Sequence, residues 1–475
     1  MIKTRMAPSP TGEFHIGSMR TLLYNYAFAK SKEGKFVLRI EDTDRARYVE
    51  GATERLMAVV KSYGLGWDEG PYIQSERLDI YKKHSLILVE KDVAYYCFCT
   101  PERLKDLRKE QQKNKMPSTK YDRHCLKLSK EEITEKVASG EKYVIRLKIP
   151  TSENIEFEDL ILGKISFPSK DIDDQILLKS DGYPTYHLAV VVDDHLMKIS
   201  HVIRGVEWLA STPKHILLYK YLGWNLPLYA HIPLLKESNS TKKLSKREGS
   251  VASKGFLEKG YLAEALLNFL MFLGWNPGTD KEIYTLEEFI KDFSLGGIQK
   301  TDLVSFDRDK LLWTNGTYIR NMSVAELWKR LNLWATEYNI ELNKKSKDKE
   351  FNVKVLGLVQ ERLKIFSEYN GLTHYFYKTP SVDRKLLFKY TKENESRTKR
   401  IISKFIEILS SSNWSRSELE EKCKGMIKKE GYSPKEAFMT LRVVLTNEKA
   451  TPQIFDILEV LGKKTVLSRL KSLVI

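Results

Sequence analysis

Two short runs, far apart in the chain, carry residue types suited to phosphate chemistry. The first is Pro8-Ser9-Pro10-Thr11-Gly12-Glu13-Phe14-His15-Ile16-Gly17-Ser18. Its prolines and Gly12 predict a tight turn, and His15 and Gly17 fall at the start of the helix that follows. Backbone N–H groups and the helix dipole attract anions there. A glycine lets a nucleotide approach without a Cβ in the way, and an imidazole N–H can donate to a phosphate oxygen. The second run is Lys243-Leu244-Ser245-Lys246-Arg247. Its three cations on a loop can close over a triphosphate and stabilise charge developing on departing pyrophosphate. Taken singly, one run reads as an ordinary capped βα turn and the other as an exposed basic loop. In this order in one chain they reinforce each other.

A third cluster concerns metal. Of the four cysteines, three are Cys97, Cys99 and Cys125. Three thiolates leave a tetrahedral structural zinc site one ligand short. His124 is adjacent to Cys125, and adjacent residues ligate together only with awkward geometry. Tyr121, four residues before Cys125, is the other candidate. The alternative is three thiols that merely lie close together. Cys423 is isolated in a charged helical stretch and reads as an ordinary residue. So few cysteines exclude a disulfide scaffold and point to a reducing compartment.

The elements that must position these residues alternate. Residues 2–6 predict a strand, the breaker-rich loop follows, and Met19, Leu22, Leu23, Tyr26 and Ala27 recur at helical spacing. Residues 36–40 predict a second strand, ended by Glu41-Asp42-Thr43-Asp44, and residues 52–63 a helix. This alternation predicts an α/β unit with a parallel sheet. Residues 100–118 read as a solvated helix, and 143–147, 161–167 and 176–178 as strands of an inserted α+β module. The α/β pattern returns at 189–194 and 202–204. From 263–273 onward the chain reads mostly helical, and after about 316 it shows few strand signals.

A length of 475 residues predicts two to four domains at roughly 100–200 residues each. With 42% hydrophobic and 30% charged residues the composition excludes long disorder. No apolar run is long enough for a membrane span. The N-terminus lacks a secretory apolar core, which predicts a cytoplasmic protein. The net charge of +16 fits a polyanionic partner, although charge alone says little.

The two phosphate-facing runs resemble the paired signature motifs of class I aminoacyl-tRNA synthetases. Ser18 stands at the fourth position of the first, usually histidine, and Arg247 ends the second in place of serine. Further runs are similar to glutamyl-tRNA synthetases of bacterial type: Arg5-Met6-Ala7-Pro8-Ser9-Pro10-Thr11-Gly12, Leu38-Arg39-Ile40-Glu41-Asp42-Thr43-Asp44, Asp181-Gly182-Tyr183-Pro184-Thr185-Tyr186-His187-Leu188-Ala189 and Val202-Ile203-Arg204-Gly205. The resemblance is in good register to about residue 320 and looser beyond.

It implies a Rossmann-like α/β catalytic domain with an inserted α+β module, then an all-α anticodon-binding region. The expected division is 1–95 and 186–240 for the two catalytic halves, 96–185 for the insertion that grips the acceptor stem, 241–318 for the basic loop and stem-contact helices, and 319–475 for the anticodon domain. It also implies ATP-dependent ligation of L-glutamate to tRNA(Glu) through a glutamyl-adenylate, with Mg²⁺ accompanying ATP. His15, Lys243 and Lys246 are the implied catalytic residues. Gly12, Gly17, Glu207 and Leu235 join them around ATP, and Arg5, Ala7, Ser9, Glu41, Tyr186 and Arg204 surround glutamate. Asp44 and Arg47 would meet the tRNA acceptor end. In related synthetases a tyrosine completes the zinc set, which favours Tyr121 over His124 beside Cys97, Cys99 and Cys125. Activation of the amino acid is expected to need bound tRNA.

A dicarboxylic substrate agrees with this set, because arginine gives charge-assisted bidentate bonds to carboxylate. A glutamine pocket gains nothing from a buried cation such as Arg204. Arg204 and the helical C-terminal part therefore favour glutamate over glutamine. Val190 stands where the family usually has asparagine, removing a hydrogen bond worth roughly 1.5–3 kcal/mol to a charged group. A tRNA-binding protein with a dead site would show damaged nucleotide motifs, yet His15, Gly17, Lys243 and Lys246 are intact. A monomer is expected, and whether tRNA(Gln) is also charged stays open.

Overall fold

A computed structural model describes residues 1–474 except 117, 239, 241, 243, 245–250, 346 and 347. Lys243, Lys246 and Arg247 therefore lie outside the described residues. The chain divides into two compact units, one of residues 1–256 and 263–308, the other of residues 257–262 and 309 onward.

In the first unit β1 (Lys3–Met6), β2 (Lys35–Ile40) and β3 (Glu69–Ile73) form a parallel sheet in that order. Helices Ile16–Ser31 and Ala52–Ser62 make the crossovers that parallel neighbours require. Then follow β4 (Ala94–Cys97), β5 (Val144–Leu147), β6 (Asn154–Asp159), β7 (Gly163–Pro168), β8 (Ile176–Leu178), β9 (His201–Gly205), β10 (Leu228–Ile232), β11 (Leu234–Glu237) and β12 (Leu303–Phe306). A second sheet has the order β7-β6-β10-β9, with β6, β10 and β9 parallel and β7 folding back. The two sheets meet edge to edge at β1 and β9, where the Ser200 N–H donates to the Lys3 carbonyl at 2.9 Å. From this junction the chain winds outward to β2 and β3 on one side and to β10 on the other. The carboxyl ends of β1 and β9 thus flank a topological switch point, the place where open α/β sheets bind ligands.

Antiparallel β4, β5 and β8 form a third sheet. The expected inserted module is less separate than its sequence suggests, because β6 within it joins β10 of the main sheet at Tyr229–Asp159. The run expected as one strand over 161–167 is the second arm of a hairpin, and this arm begins at Gly163 with φ 81°. Its first arm, Asn-Ile-Glu-Phe-Glu-Asp, alternates with charges and carries a weak apolar signal. The helix expected over 100–118 spans only Pro101–Lys113. Thr100 caps its start by accepting from the Arg103 N–H, and just past its end Lys115 turns left-handed at φ 51°. Residues 189–194 lie in the helix Tyr186–Leu196, whose apolar run Leu188–Val192 packs against Leu147, Leu177, Leu217 and Leu218.

Among its described residues the second unit has helices and no strand, with Val324–Glu337, Lys349–Val359, Glu395–Ser410, Arg416–Lys429, Pro434–Thr446 and Ile454–Lys471 among its helices. Ile401, Phe405, Leu441, Val444, Leu458 and Leu470 lie in its core. The helix expected over 454–461 continues past a non-helical Gly462 to Lys471. Among the described residues no helix is long and apolar enough to cross a membrane.

Candidate active site

A cavity of about 900 Å³ opens at the carboxyl ends of β1 and β9. Its lining includes Arg5, Ala7, Ser9, His15, Gly17, Glu41, Asp44, Arg47, Tyr186, Arg204, Glu207 and Leu235. These come from loops, strand ends and helix starts spread over nearly half the chain. Gly12, at φ 135° in the first loop, is not part of the lining.

His15 caps the helix Ile16–Ser31 with its ring: Nδ1 accepts the Gly17 N–H at 2.9 Å. With Nδ1 accepting, a neutral ring keeps its proton on Nε2. Gly17 sits close to the ring, since a Cβ there would lie 3.1 Å from His15 Nδ1. The Leu244 N–H donates to the Leu235 carbonyl at 2.7 Å, and the Ile16 N–H to the Val251 carbonyl at 2.8 Å. Both described flanks of the basic loop are thereby tied to the cavity wall.

Arg5 is anchored by Asp194, with Nε 3.2 Å from Oδ1 and Nη2 3.3 Å from Oδ2. The same carboxylate takes Arg39 Nη1 at 2.7 Å, and Arg39 Nη2 reaches Glu41 Oε1 at 3.0 Å. Burial opposes ionisation of Asp194, but Arg5 and Arg39 outweigh it and hold the carboxyl below its ordinary value. Burial pushes Glu41 up despite the pull of Arg39 and Arg5. Next to Asp194, Asp193 receives Arg77 at 2.9 Å, Gln74 at 3.0 Å and Tyr81 at 2.8 Å. Buried charges persist only when paired in this manner.

Arg204 differs. It is buried, and its hydrogen bonds all go to uncharged acceptors: His231 Nε2 (3.1 Å), His215 Nδ1 (3.3 Å), Tyr186 Oη (3.2 Å), Thr212 Oγ1 (2.7 Å) and the Trp208 carbonyl (3.3 Å). Tyr229 presents its ring 5.4 Å from the guanidinium carbon. At the cavity mouth half-buried Asp44 pairs with exposed Arg47 at 2.6 Å. Val190 is buried in the apolar core and is absent from the lining, so no polar group replaces the expected asparagine there.

The sequence reading missed Asp194, Arg39, His215, His231 and Thr212. Of these Asp194 carried a signal, as an acid closing the apolar run 189–192.

The cysteine cluster converges apart from the cavity. The Sγ atoms of Cys97, Cys99 and Cys125 lie within 4.8 Å of one another. Tyr121 Oη stands 3.3 Å from both Cys97 and Cys99 Sγ, whereas His124 is exposed. Arg103 Nη1 reaches Cys99 Sγ at 3.4 Å, and Arg146 lies 4.1 Å from the Tyr121 ring centre. Hydrogen bonds from the Cys125 thiol and the Tyr121 hydroxyl hold the Cys97 thiol well below its ordinary value. Three sulfurs and a phenolic oxygen beside two guanidinium groups make a group that could hold a metal ion.

The family model described as "tRNA synthetases class I (E and Q), catalytic domain" matches residues 1–313, and "Anticodon binding domain" matches 324–474. The chain is 42% identical to the glutamate–tRNA ligase of Alkaliphilus metalliredigens, covering 99% of this chain and 98% of that protein. It is 42% identical to the glutamate–tRNA ligase of Clostridium novyi over 99% of this chain and 97% of that one. A crystal structure of a glutamate tRNA ligase from Elizabethkingia meningosepticum, in complex with its amino acid, superposes with a TM-score of 0.88. It is 34% identical and covers 100% of this chain and 99% of that one.

Proposed function

The chain belongs to the class I tRNA synthetases of the E and Q type, and from that premise we propose how it ligates glutamate to tRNA. The reading rests on one observation: a single cavity holds a buried arginine in contact with uncharged groups only, together with Arg5 and Glu41. A substrate carrying a carboxylate at its far end satisfies Arg204. Arg5 joins it, Glu41 faces the substrate ammonium, and Ala7, Ser9 and Tyr186 complete the amino-acid end.

The reaction has two steps. The α-carboxylate of glutamate attacks the α-phosphorus of MgATP, giving glutamyl-adenylate and releasing pyrophosphate. A ribose hydroxyl of the terminal adenosine of tRNA then attacks the acyl carbon and AMP leaves. No side-chain nucleophile is needed; positioning and charge stabilisation carry the catalysis. His15 donates from Nε2 to phosphate, with Lys246 and Lys243 supplying charge from the basic loop. Gly17, Glu207 and Leu235 bound the nucleotide, Gly12 shapes the loop before them without lining the cavity, and Asp44 and Arg47 meet the acceptor end. The helical residues 319–475 meet the anticodon loop, since proteins read unstacked RNA bases. The protein acts as a cytoplasmic monomer.

The cysteine group fits zinc in its donor chemistry. For Zn–S bonds near 2.3 Å, ligand sulfurs in a tetrahedron stand about 3.8 Å apart, and Cys99 and Cys125 are at 3.5 Å. Cys97, Cys99, Cys125 and Tyr121 would hold the ion, which supplies a structural crosslink.

The decisive experiment charges transcripts of tRNA(Glu) and tRNA(Gln) with labelled glutamate, with labelled glutamine as control. Glutamate transfer to tRNA(Glu) is expected, and transfer to tRNA(Gln) as well would identify a non-discriminating enzyme. Lys246→Ala should abolish charging and leave tRNA binding nearly unchanged. Transfer of glutamate to neither tRNA overturns the reading.

A further inference from the structure

We infer that His215, His231 and Thr212 are specificity-determining positioning residues, which hold Arg204 entirely through uncharged acceptors so that its charge is claimed by the side-chain carboxylate of glutamate. The inference rests on the reading of Arg204 as the side-chain clamp.

A guanidinium has five N–H donors, and Arg204 uses all of them. They fall into two sets. His231, His215 and Thr212 hold it from behind; each is nearly or fully inaccessible, at 1%, 1% and 0% exposure, and none lines the cavity. Tyr186 and Trp208 both line the cavity, and they take one donor on each terminal nitrogen, at 3.2 and 3.3 Å. A carboxylate displacing these two long contacts gains a bond on each terminal nitrogen, the bidentate pattern arginine favours. The buried set stays in place.

The buried acceptors are fixed as acceptors by what stands behind them. Arg204 on β9, His231 on β10 and Asp159 on β6 cross three neighbouring strands, and Arg204 and His231 are register partners. Asp159 Oδ2 lies 2.7 Å from His231 Nδ1, so that nitrogen carries the proton and Nε2 is left to accept. His215 accepts through Nδ1, and its Nε2 proton points to His187 Nδ1 at 3.0 Å. Burial beside Arg204 keeps both rings below their ordinary pKa.

The contrast with Arg5 gives the arrangement its meaning. Arg5 meets a carboxylate of the protein, Asp194. A carboxylate against Arg204 would likewise satisfy it and would repel the incoming one. Uncharged acceptors fill the geometry without spending the charge, and a neutral amide from glutamine cannot supply what is then missing.

The test is an isosteric pair. His215→Asn keeps an uncharged acceptor, whereas His215→Asp adds charge at nearly the same shape. The Asp variant should raise the glutamate KM about thirtyfold or more over the Asn variant. The ATP KM should stay within about twofold, and the preference for glutamate over competing glutamine should fall. Thr212→Asn and Thr212→Asp repeat the comparison on the other terminal nitrogen of Arg204 and decide the matter if His215→Asp does not fold. Equal glutamate KM values within each pair, or joint loss of kcat and of affinity for every substrate, would overturn the inference. Failure of the unaltered protein to charge tRNA with glutamate would instead overturn the underlying reading.

Discussion

Arg5, at the end of β1, and Asp194, near the end of the helix Tyr186–Leu196, meet through two nitrogens and two oxygens at 3.2 and 3.3 Å. The same carboxylate holds Arg39, which is wholly buried. Asp194 thus neutralises parts of two guanidinium groups and fixes the one that faces the cavity. Asp194→Asn leaves two buried cations underpaired, a loss of about 3–5 kcal/mol by the usual cost of breaking a buried pair. Thermal melting should show a drop of several degrees, and the glutamate KM should rise at least tenfold, by roughly 1.4 kcal/mol or more. A variant with unchanged melting and KM would mean that water pairs these arginines as well as Asp194 does.

For the cysteine group the expected metal content is about one zinc per chain. Cys99→Ser should lose most of it, measured by elemental analysis after gel filtration. Tyr121→Phe should retain metal more weakly, because three thiolates remain and water can take the fourth position. His124→Ala should leave content unchanged. Removing metal with a chelator should lower the melting temperature and weaken tRNA binding while sparing ATP binding. A metal-free protein with full activity would reduce the cluster to three packed thiols.

The parts of this molecule legible in its sequence are those whose signals are local. The turn and helix start around His15, the strand ending at Glu41 and the helical second unit are written in short-range spacing. Arg204 could be singled out through the motif around it, yet its neighbours could not. His231 reaches it only because β9 and β10 pair in one register, and His215 only because the helix Thr212–Leu222 packs beneath. Asp194 meets Arg5 across 189 positions of chain. The hairpin of β6 and β7 was hidden for a related reason: β6 alternates with charges and is made a strand by its partners. Contacts set by tertiary packing leave no trace in spacing.

The histidines behind Arg204 give folding stability a pH signature. Burial, with Arg204, His187, Lys214 and Arg5 nearby, holds His215 well below its ordinary value of 6.5. Burial, with Lys214 and Arg204, brings His187 down to about 3. In the unfolded chain both titrate near 6.5. Below that pH the unfolded state binds protons that the folded state refuses, so stability falls as pH falls and is fully present above 6.5. Each histidine contributes up to about 1.4 kcal/mol per pH unit below this point. Urea midpoints at pH 7.5, 6.0 and 5.0 should show the decline, and His215→Asn should flatten it by about one proton. Paired carboxylates such as Asp194 contribute in the same direction at lower pH, below about 4. An identical slope in the variant between pH 6.5 and 5.0 would show that His215 gains its proton in the folded state.

Gly17 separates structural from functional demand. It lies in the first turn of the helix Ile16–Ser31, and alanine is favoured over glycine by up to about 1 kcal/mol in helices. On propensity alone Gly17→Ala should stabilise the protein. The added Cβ, however, would stand 3.1 Å from His15 Nδ1 and 3.8 Å from Leu235 Cδ1, both on the cavity wall. His15 must yield by a few tenths of an ångström, which displaces its Nε2 proton, and the methyl group occupies space where the nucleotide approaches. The expected outcome is a melting temperature unchanged or slightly raised, with kcat/KM for ATP reduced at least about tenfold, the cost of one weakened charge-assisted bond. Parallel loss of stability and activity would mean that the glycine serves the His15 cap, and unaltered kinetics would place the phosphates elsewhere in the cavity.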